Sequence, residues 1–301
     1  MFAVTILGNN SAIPAYGRMP TAQVVTLNDK QFLIDCGEGT QMQLAKYKIR
    51  KSKINHIFIS HLHGDHYFGL IGLITSMGLL NRENDLHIYA PAGIEQIIQL
   101  QLQVANITLP FSLFFHVLHT EGILINENKF SVECFTVQHS IECWGFIFRE
   151  KKAPRKIDKE KAVQYQIPAA FYNQLKEGLD YVTKEGLIIN NKDVTTTNIP
   201  ARSYAYCADT KYFEELIPKV KDVNVLYHET TYLKDFEEKA ILRFHSTTHQ
   251  AANIAKQCNA HKLLIGHFSS KYENLDQFLT EAKEVFKSTE LAIEGVCYNI
   301  L

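Results

Sequence analysis

Short runs in which apolar and β-branched residues alternate with polar ones predict strands over 4–7, 22–27, 31–34, 56–59, 86–89, 129–136, 145–149, 203–207, 223–227 and 262–266. Apolar positions recurring every three to four residues predict helices over 40–47, 68–80, 93–104, 248–257 and 274–286. The strands come in two batches with helices among them. Each sheet must bury an apolar face, so the pattern suits two sheets with helices packed outside, an α/β layered architecture. No internal repeat of 20–50 residues is visible. Residues 151–200 break the pattern: strand signals are weak, and Pro168, Gly178, Gly186 and the Asn190-Asn191 pair punctuate the stretch.

Composition narrows the class. An apolar fraction of 46% and a charged fraction of 21% are those of an ordinary globular protein, and 301 residues can bury a sizeable core. With a net charge of −1 the whole chain is no polycation, so nucleic acid would have to be met by local basic patches. One such patch opens the irregular segment. Residues 151–161 hold six basic and two acidic side chains, a net +4. A charge run of this kind reads either as a solvated surface or as an arm that meets phosphates. The longest uncharged apolar stretch, 67–80, is 14 residues, below the roughly 18 needed to span a bilayer, and is expected as a buried helix. No basic region precedes the apolar N-terminus, so no secretory signal is expected. The six cysteines are scattered without a C-x-x-C pair and read as buried thiols of a reducing compartment, with the cytoplasm as default.

The chemistry is concentrated in Ile57-Phe58-Ile59-Ser60-His61-Leu62-His63-Gly64-Asp65-His66. An apolar strand ends here in a polar turn. His61 and His63, two apart, share one side of an extended backbone, and Asp65 and His66 turn toward a second position. Four donors in six residues can supply two metal ions, and imidazole favours zinc among the common ones. Satisfied core histidines would be a strained alternative, because unpaired polar groups at the end of a buried strand are costly. His116 and His119 could form a further pair on a helix, although isolated pairs are more often structural.

The H-x-H-x-D-H turn after a strand resembles the metallo-β-lactamase superfamily. With Leu33-Ile34-Asp35-Cys36-Gly37-Glu38-Gly39-Thr40-Gln41, Ala208-Asp209-Thr210, His228-Glu229-Thr230-Thr231, His245-Ser246-Thr247 and Gly266-His267-Phe268-Ser269-Ser270, the chain is similar to the short, bacterial-type ribonuclease Z family over nearly its whole length. The resemblance implies a four-layer αββα sandwich, one domain over 1–301, with two zinc ions at one edge and a protruding tRNA-binding arm inserted at 151–200. It implies that His61, His63 and His139 hold one ion, that Asp65, His66 and His267 hold the other, and that Asp209 bridges them. Asp65 would also orient or deprotonate the attacking water, and Glu229 with His245 would supply the proton for the leaving oxygen. His249, four residues on, competes with His245, but Thr247-Thr248-His249-Gln250 reads as a capping box that places His249 in a helical turn.

The implied reaction is cleavage of precursor tRNA 3′ of the discriminator base by a homodimer, with no membrane and no nucleotide cofactor involved. The alternative is another metallo-β-lactamase-type phosphodiesterase or hydrolase acting on a small substrate. Arg18, Lys151, Lys152, Arg155, Lys156, Lys271 and Tyr272 are the candidate RNA contacts. The chain departs from the family in two places. The arm tip reads Ile167-Pro168-Ala169-Ala170-Phe171-Tyr172 without the usual Gly-Pro, and the N-terminal loop reads Pro14-Ala15-Tyr16-Gly17-Arg18-Met19, lacking the usual Lys and Asn.

Overall fold

The computed structural model describes residues 1–301, which divide into two compact units. Unit 1 comprises 1–126, 132–148 and 202–301; unit 2 comprises 127–131 and 149–201. In chain order the principal strands are β1 (Phe2–Gly8), β2 (Ala22–Leu27), β3 (Lys30–Ile34), β4 (Ile54–Phe58), β5 (Leu86–Ala90), β6 (Leu113–Val117) and β7 (Gly122–Asn126). They continue with β8 (Phe130–Thr136), β9 (Trp144–Glu150), β10 (Ser203–Cys207), β11 (Val225–Glu229), β12 (Lys262–Gly266), β13 (Thr289–Leu291) and β14 (Cys297–Asn299). They form two seven-stranded sheets, ordered β14-β1-β2-β3-β4-β5-β6 and β13-β12-β11-β10-β9-β8-β7. Both are mixed: β3 to β6 run parallel, as do β10 to β13, while β1 is antiparallel to both β2 and β14.

Alternation along the strands makes the layers. Phe32 and Phe58 point at the other sheet, where Phe58 meets Phe146 at 5.2 Å and Phe148 at 5.6 Å between ring centroids, and Phe32 meets Phe148 at 5.4 Å. The intervening residues Leu33, Ile57 and Ile59 face the other way, into a core closed by Leu70, Leu73, Ile74 and Met77 of the helix Leu70–Leu79 and by Ile94 and Ile98 of the helix Ile94–Val104. Central strands are therefore buried on both faces, which is why they read as nearly continuous apolar runs. On the second sheet the helices Thr248–Gln257 and Asp276–Val285 pack against each other.

Some expectations change. The stretch 67–80 forms a short turn of helix, Gly64–Tyr67, and then the helix Leu70–Leu79, and it is only half-buried: Phe68, Leu79 and Leu80 are exposed. No helix is long and apolar enough to cross a membrane. His116 lies on β6, not on a helix, and stacks on Tyr89 at 4.4 Å and His87 at 5.2 Å. His119 lies past the strand end, so the pair does not gather as helical ligands would. Five cysteines are buried, none is bridged, and Cys297 is exposed.

Unit 2 has its own small core of Ile167, Leu175, Ile189 and Val194, flanked by Ile157, Phe171, Tyr172 and Tyr181. Short pairings, Lys156–Ile157 with Thr195–Thr196 and Tyr181–Val182 with Ile188–Ile189, frame the helices Lys159–Gln164 and Tyr172–Glu177. The Asn191 side chain donates to the carbonyls of Leu175 and Leu179, and Asp158 caps the first helix by accepting from the Lys161 amide.

Candidate metal centre

Four chain segments deliver the sequence-predicted ligands, and the parallel strands explain why they meet. Residues 59–66 follow the C-terminal end of β4; Asp209, Glu229 and His267 lie at or just beyond the C-terminal ends of β10, β11 and β12. The parallel neighbours β10, β11 and β12 share one edge of the second sheet, where ligand sites form, and β4 brings its end there from the first sheet packed against it. His139 comes from the turn between β8 and β9, closed by the Val137 amide on the Cys143 carbonyl. The 36–37 loop is stitched to the ligand turn by the Cys36 amide on the His66 carbonyl (2.7 Å) and the Gly69 amide on the Cys36 carbonyl (2.9 Å). Only glycine permits this approach: a Cβ on Gly69 would stand 2.2 Å from the Gly37 carbonyl oxygen.

The donor atoms fall into two sets that share one carboxylate. In the first, His63 Nδ1 is 3.1 Å from both His61 Nε2 and His139 Nε2, while Asp209 Oδ2 is 3.8 Å from His61 Nε2 and 3.9 Å from His139 Nε2. In the second, Asp65 Oδ2 is 3.6 Å from His66 Nε2 and 3.5 Å from His267 Nε2, and Asp209 is 3.5 Å and 3.2 Å from the same two nitrogens. Two nitrogens about 2.0–2.1 Å from one tetrahedral ion stand about 3.3 Å apart, close to the 3.1 Å spacings of the first set and the 3.2–3.6 Å spacings of the second, with Asp209 standing farther from His61 and His139 than from His66 and His267.

The donor chemistry fits a metal. His66 Nε2, His267 Nε2 and Asp209 Oδ1 are buried without a hydrogen-bond partner, an arrangement that costs free energy unless a cation satisfies them. Burial first, with neighbouring imidazoles adding to it, holds His61 well below the ordinary histidine range; burial likewise lowers His63 and His139. Neutral imidazole is the ligating form. Around His66 burial is outweighed by the carboxylates of Asp209, Asp35 and Asp65, so this point of the site attracts positive charge.

The opposite ring nitrogens of His61, His66, His139 and His267 are also engaged, which orients these four rings. His66 Nδ1 is 2.8 Å from Asp35 Oδ2, His139 Nδ1 is 2.9 Å from the Phe244 carbonyl, His267 Nδ1 is 3.0 Å from Thr231 Oγ1, and His61 Nδ1 is 3.0 Å from Ser60 Oγ. Asp35 is the hub: fully buried, it also accepts the Ser60 amide (2.7 Å), the Ser60 hydroxyl (2.9 Å) and the Tyr206 hydroxyl (2.6 Å). Sequence reading gave Asp35, Ser60 and Tyr206 no role; the available signal was an acidic residue ending a buried strand. Ala12, Asp35, Phe244 and His267 all adopt positive φ here, a local strain of order 1 kcal/mol or more each.

Beside the donors stands a buried acid–imidazole pair. Glu229 Oε1 is 2.9 Å from His245 Nδ1 and accepts the amides of Thr210 and Ser246; Oε2 accepts the amide and hydroxyl of Thr231. Burial alone would lower His245, but the Glu229 carboxylate outweighs it and pushes the imidazole up to about 9. His249 points elsewhere, to Glu284 Oε2 at 3.1 Å, within the helix opened by the Thr247–Gln250 capping box. A cleft of about 580 Å³ reaches His63, His139 and His245, and Lys239, Leu242 and Arg243, which sequence reading passed over, line it.

The candidate RNA contacts are dispersed. Arg18 is committed within unit 1: its guanidinium donates to Asn10 Oδ1 (3.0 Å), the Glu273 carbonyl (3.0 Å) and the Tyr272 carbonyl, tying the N-terminal loop to 272–273. Tyr272 is half-buried, edge-on to Phe278 at 4.9 Å. Lys271 is exposed, its Nζ 3.7 Å from the Phe236 ring centroid. In unit 2, Lys151, Lys152 and Lys156 are exposed, whereas Arg155 is half-buried and donates to Thr195 Oγ1 at 2.7 Å.

Comparison with known proteins bears on the whole arrangement. The family model described as anti-Pycsar protein Apyc1 matches residues 2–166. Ribonuclease Z of Bacteroides thetaiotaomicron is 42% identical over 301 residues, covering 99% of this chain and 95% of its own. The crystal structure of human tRNase Z, short form, is similar with a TM-score of 0.73 at 25% identity, covering 99% of each chain. The metallo-β-lactamase fold protein YhfI of Bacillus subtilis, at 20% identity, shares the fold with a TM-score of 0.70 over 99% of this chain and 98% of its own.

Proposed function

From the premise that this chain belongs to the ribonuclease Z family and carries the metallo-β-lactamase fold, we propose that it is a zinc-dependent endoribonuclease that cuts precursor tRNA 3′ of the discriminator base. The products would be a tRNA 3′-hydroxyl and a 5′-phosphorylated trailer. Residues 2–166 also belong to the family described as anti-Pycsar protein Apyc1, but that match ends before Asp209, Glu229, His245 and His267. The full-length relatives therefore carry the reading of the complete site.

One observation supports it most: a buried Glu229–His245 pair beside two donor sets that share Asp209. His61, His63, His139 and Asp209 would hold one ion, and Asp65, His66, His267 and Asp209 a second. Bound there, the ions would draw charge from the phosphate oxygens and lower the pKa of water toward neutrality. The side chains supply the rest. Asp65, fixed by the Ala12 amide on Oδ2 at 2.8 Å, presents a carboxylate that accepts a hydrogen bond from the attacking water. His245 gives Nδ1 to Glu229, so Nε2 is the ring nitrogen left to hand a proton to the departing 3′-oxygen. The exposed lysines of unit 2 form the tRNA-binding arm, and the active species is a homodimer.

End-labelled precursor tRNA incubated with the metal-replete protein tests the proposal. A single cut beside the discriminator supports it. A cut elsewhere, or turnover of a small aryl phosphodiester with no cut in the RNA, overturns it in favour of a small-substrate phosphodiesterase.

A further inference from the structure

One wall of the active-site cleft has no part in the chemistry above. The helix Glu237–Leu242 and the residue that follows it turn Lys239, Leu242 and Arg243 into the cleft. These positions are i, i+3 and i+4, so they lie on one face, while Ala240 is buried on another. Both cations are exposed and neither is in an ion pair; Lys239 Nζ lies 5.2 Å from the centre of the Tyr232 ring. No aspartate or glutamate lines the cleft; hydroxyls and imidazoles make up most of its remaining wall. A pocket with unneutralised cations, several hydroxyls and no carboxylate suits a polyanion.

We propose that Lys239 and Arg243 hold backbone phosphates of the RNA on the 5′ side of the cut, with Leu242 against the sugar or base between them. The assignment rests on the endoribonuclease reading above. The side is assigned from chain order: Arg243 is two residues before His245, the donor to the leaving 3′-oxygen, and that oxygen belongs to the strand 5′ of the cut. Phosphate contacts of this kind place the strand without reading its bases.

The test is steady-state cleavage of precursor tRNA over a salt series by the wild type and by Lys239→Gln/Arg243→Gln, with Lys239→Arg/Arg243→Lys keeping both charges. The glutamine pair should raise KM about tenfold near physiological salt, leave kcat within about twofold, and flatten the logarithmic salt slope by about 1.4, two contacts at about 0.7 each on a single strand. The charge-keeping pair should restore both, which separates lost charge from lost folding. Unchanged KM and slope would overturn the proposal, as would a fall in kcat with KM intact. A single neutral methylphosphonate should weaken the wild type but not the glutamine variant when placed 5′ of the cut; the same behaviour from the 3′ position overturns the assigned side. Failure of the wild type to cut precursor tRNA at all would instead overturn the reading on which this rests.

Discussion

Replacing Asp35 by Asn removes one charge at nearly constant volume and perturbs both ligand sets without touching a donor atom. Asp35 Oδ1 accepts the Ser60 amide, and Oδ2 faces His66 Nδ1, Ser60 Oγ and the Tyr206 hydroxyl, all within 2.9 Å. Whichever way the new amide turns, its NH2 group meets a donor that cannot accept: the His66 ring N–H in one orientation, the Ser60 backbone N–H in the other. A hydrogen bond to a charged group contributes about 1.5–3 kcal/mol, and a buried donor left unpaired costs about 1–3 kcal/mol. The variant should therefore lose roughly 3–4 kcal/mol, or about 6–16 °C in melting temperature at about 2–4 °C per kcal/mol. Freed of their partners, the His66 ring and, through Ser60, the His61 ring become less defined, which should weaken metal binding about 10–100-fold. Thermal unfolding of the chelator-treated protein measures the first effect, and competitive titration with a zinc indicator the second. Wild-type values in both would refute the reasoning. A lowered melting temperature with unchanged zinc affinity would refute its second half, leaving Asp35 a support of the fold alone.

Asp209→Asn should lower bound metal below two ions per chain and cut cleavage at least ~10³-fold, since this carboxylate serves both sets; elemental analysis that still finds two ions would refute the sharing. Glu229→Gln removes the charge that holds the His245 proton. His245 is raised in the folded protein, so its acid form is present below about 9 and is lost above it. The alkaline limb of single-turnover cleavage should therefore move to lower pH in the variant, and an unmoved limb would show that Glu229 does not set it. Gly69→Ala drives a Cβ to 2.2 Å from the Gly37 carbonyl oxygen, so the ligand turn must shift; expression of a folded variant with wild-type metal content would show that the loop yields without consequence. Replacing 151–200 by a short Gly-Ser linker should raise KM for precursor tRNA by one to two orders of magnitude as its phosphate contacts go (~10–100-fold), and an equal loss toward a small aryl phosphodiester would count against an arm role.

Much of the frame was legible because it is local. Each of the ten predicted strands recurs within two residues at either end, since central strands must be apolar on both faces and turns must be polar. The strands that escaped notice, β6, β7, β13 and β14, are the four edge strands, two of only three residues, paired on one side alone and so without the doubly buried apolar run of a central strand. The half-exposed helix Leu70–Leu79 was misjudged for a related reason: its apolar composition says nothing about which face finds a partner.

The site divides in the same way. The run His61 to His66 announces a metal centre on its own, because four donors in six residues on one strand end have few other uses. Sequence alone likewise set the capping box that turns His249 out of the chemistry. Tertiary structure alone decided that Asp209 stands between two donor sets, that Asp35, braced by Tyr206, orients His66 directly and His61 through Ser60, and that Glu229 is wrapped by five donors with His245 among them. It also turned Lys239 and Arg243 into the cleft and spent Arg18 on holding a loop. The physical reason is distance along the chain. Backbone periodicity and turn chemistry act over a few residues and are written in adjacent letters, whereas an orienting hydrogen bond needs two groups within about 3 Å. For Asp35 and Tyr206, 171 residues apart and on different sheets, that closeness exists only once the two sheets pack face to face.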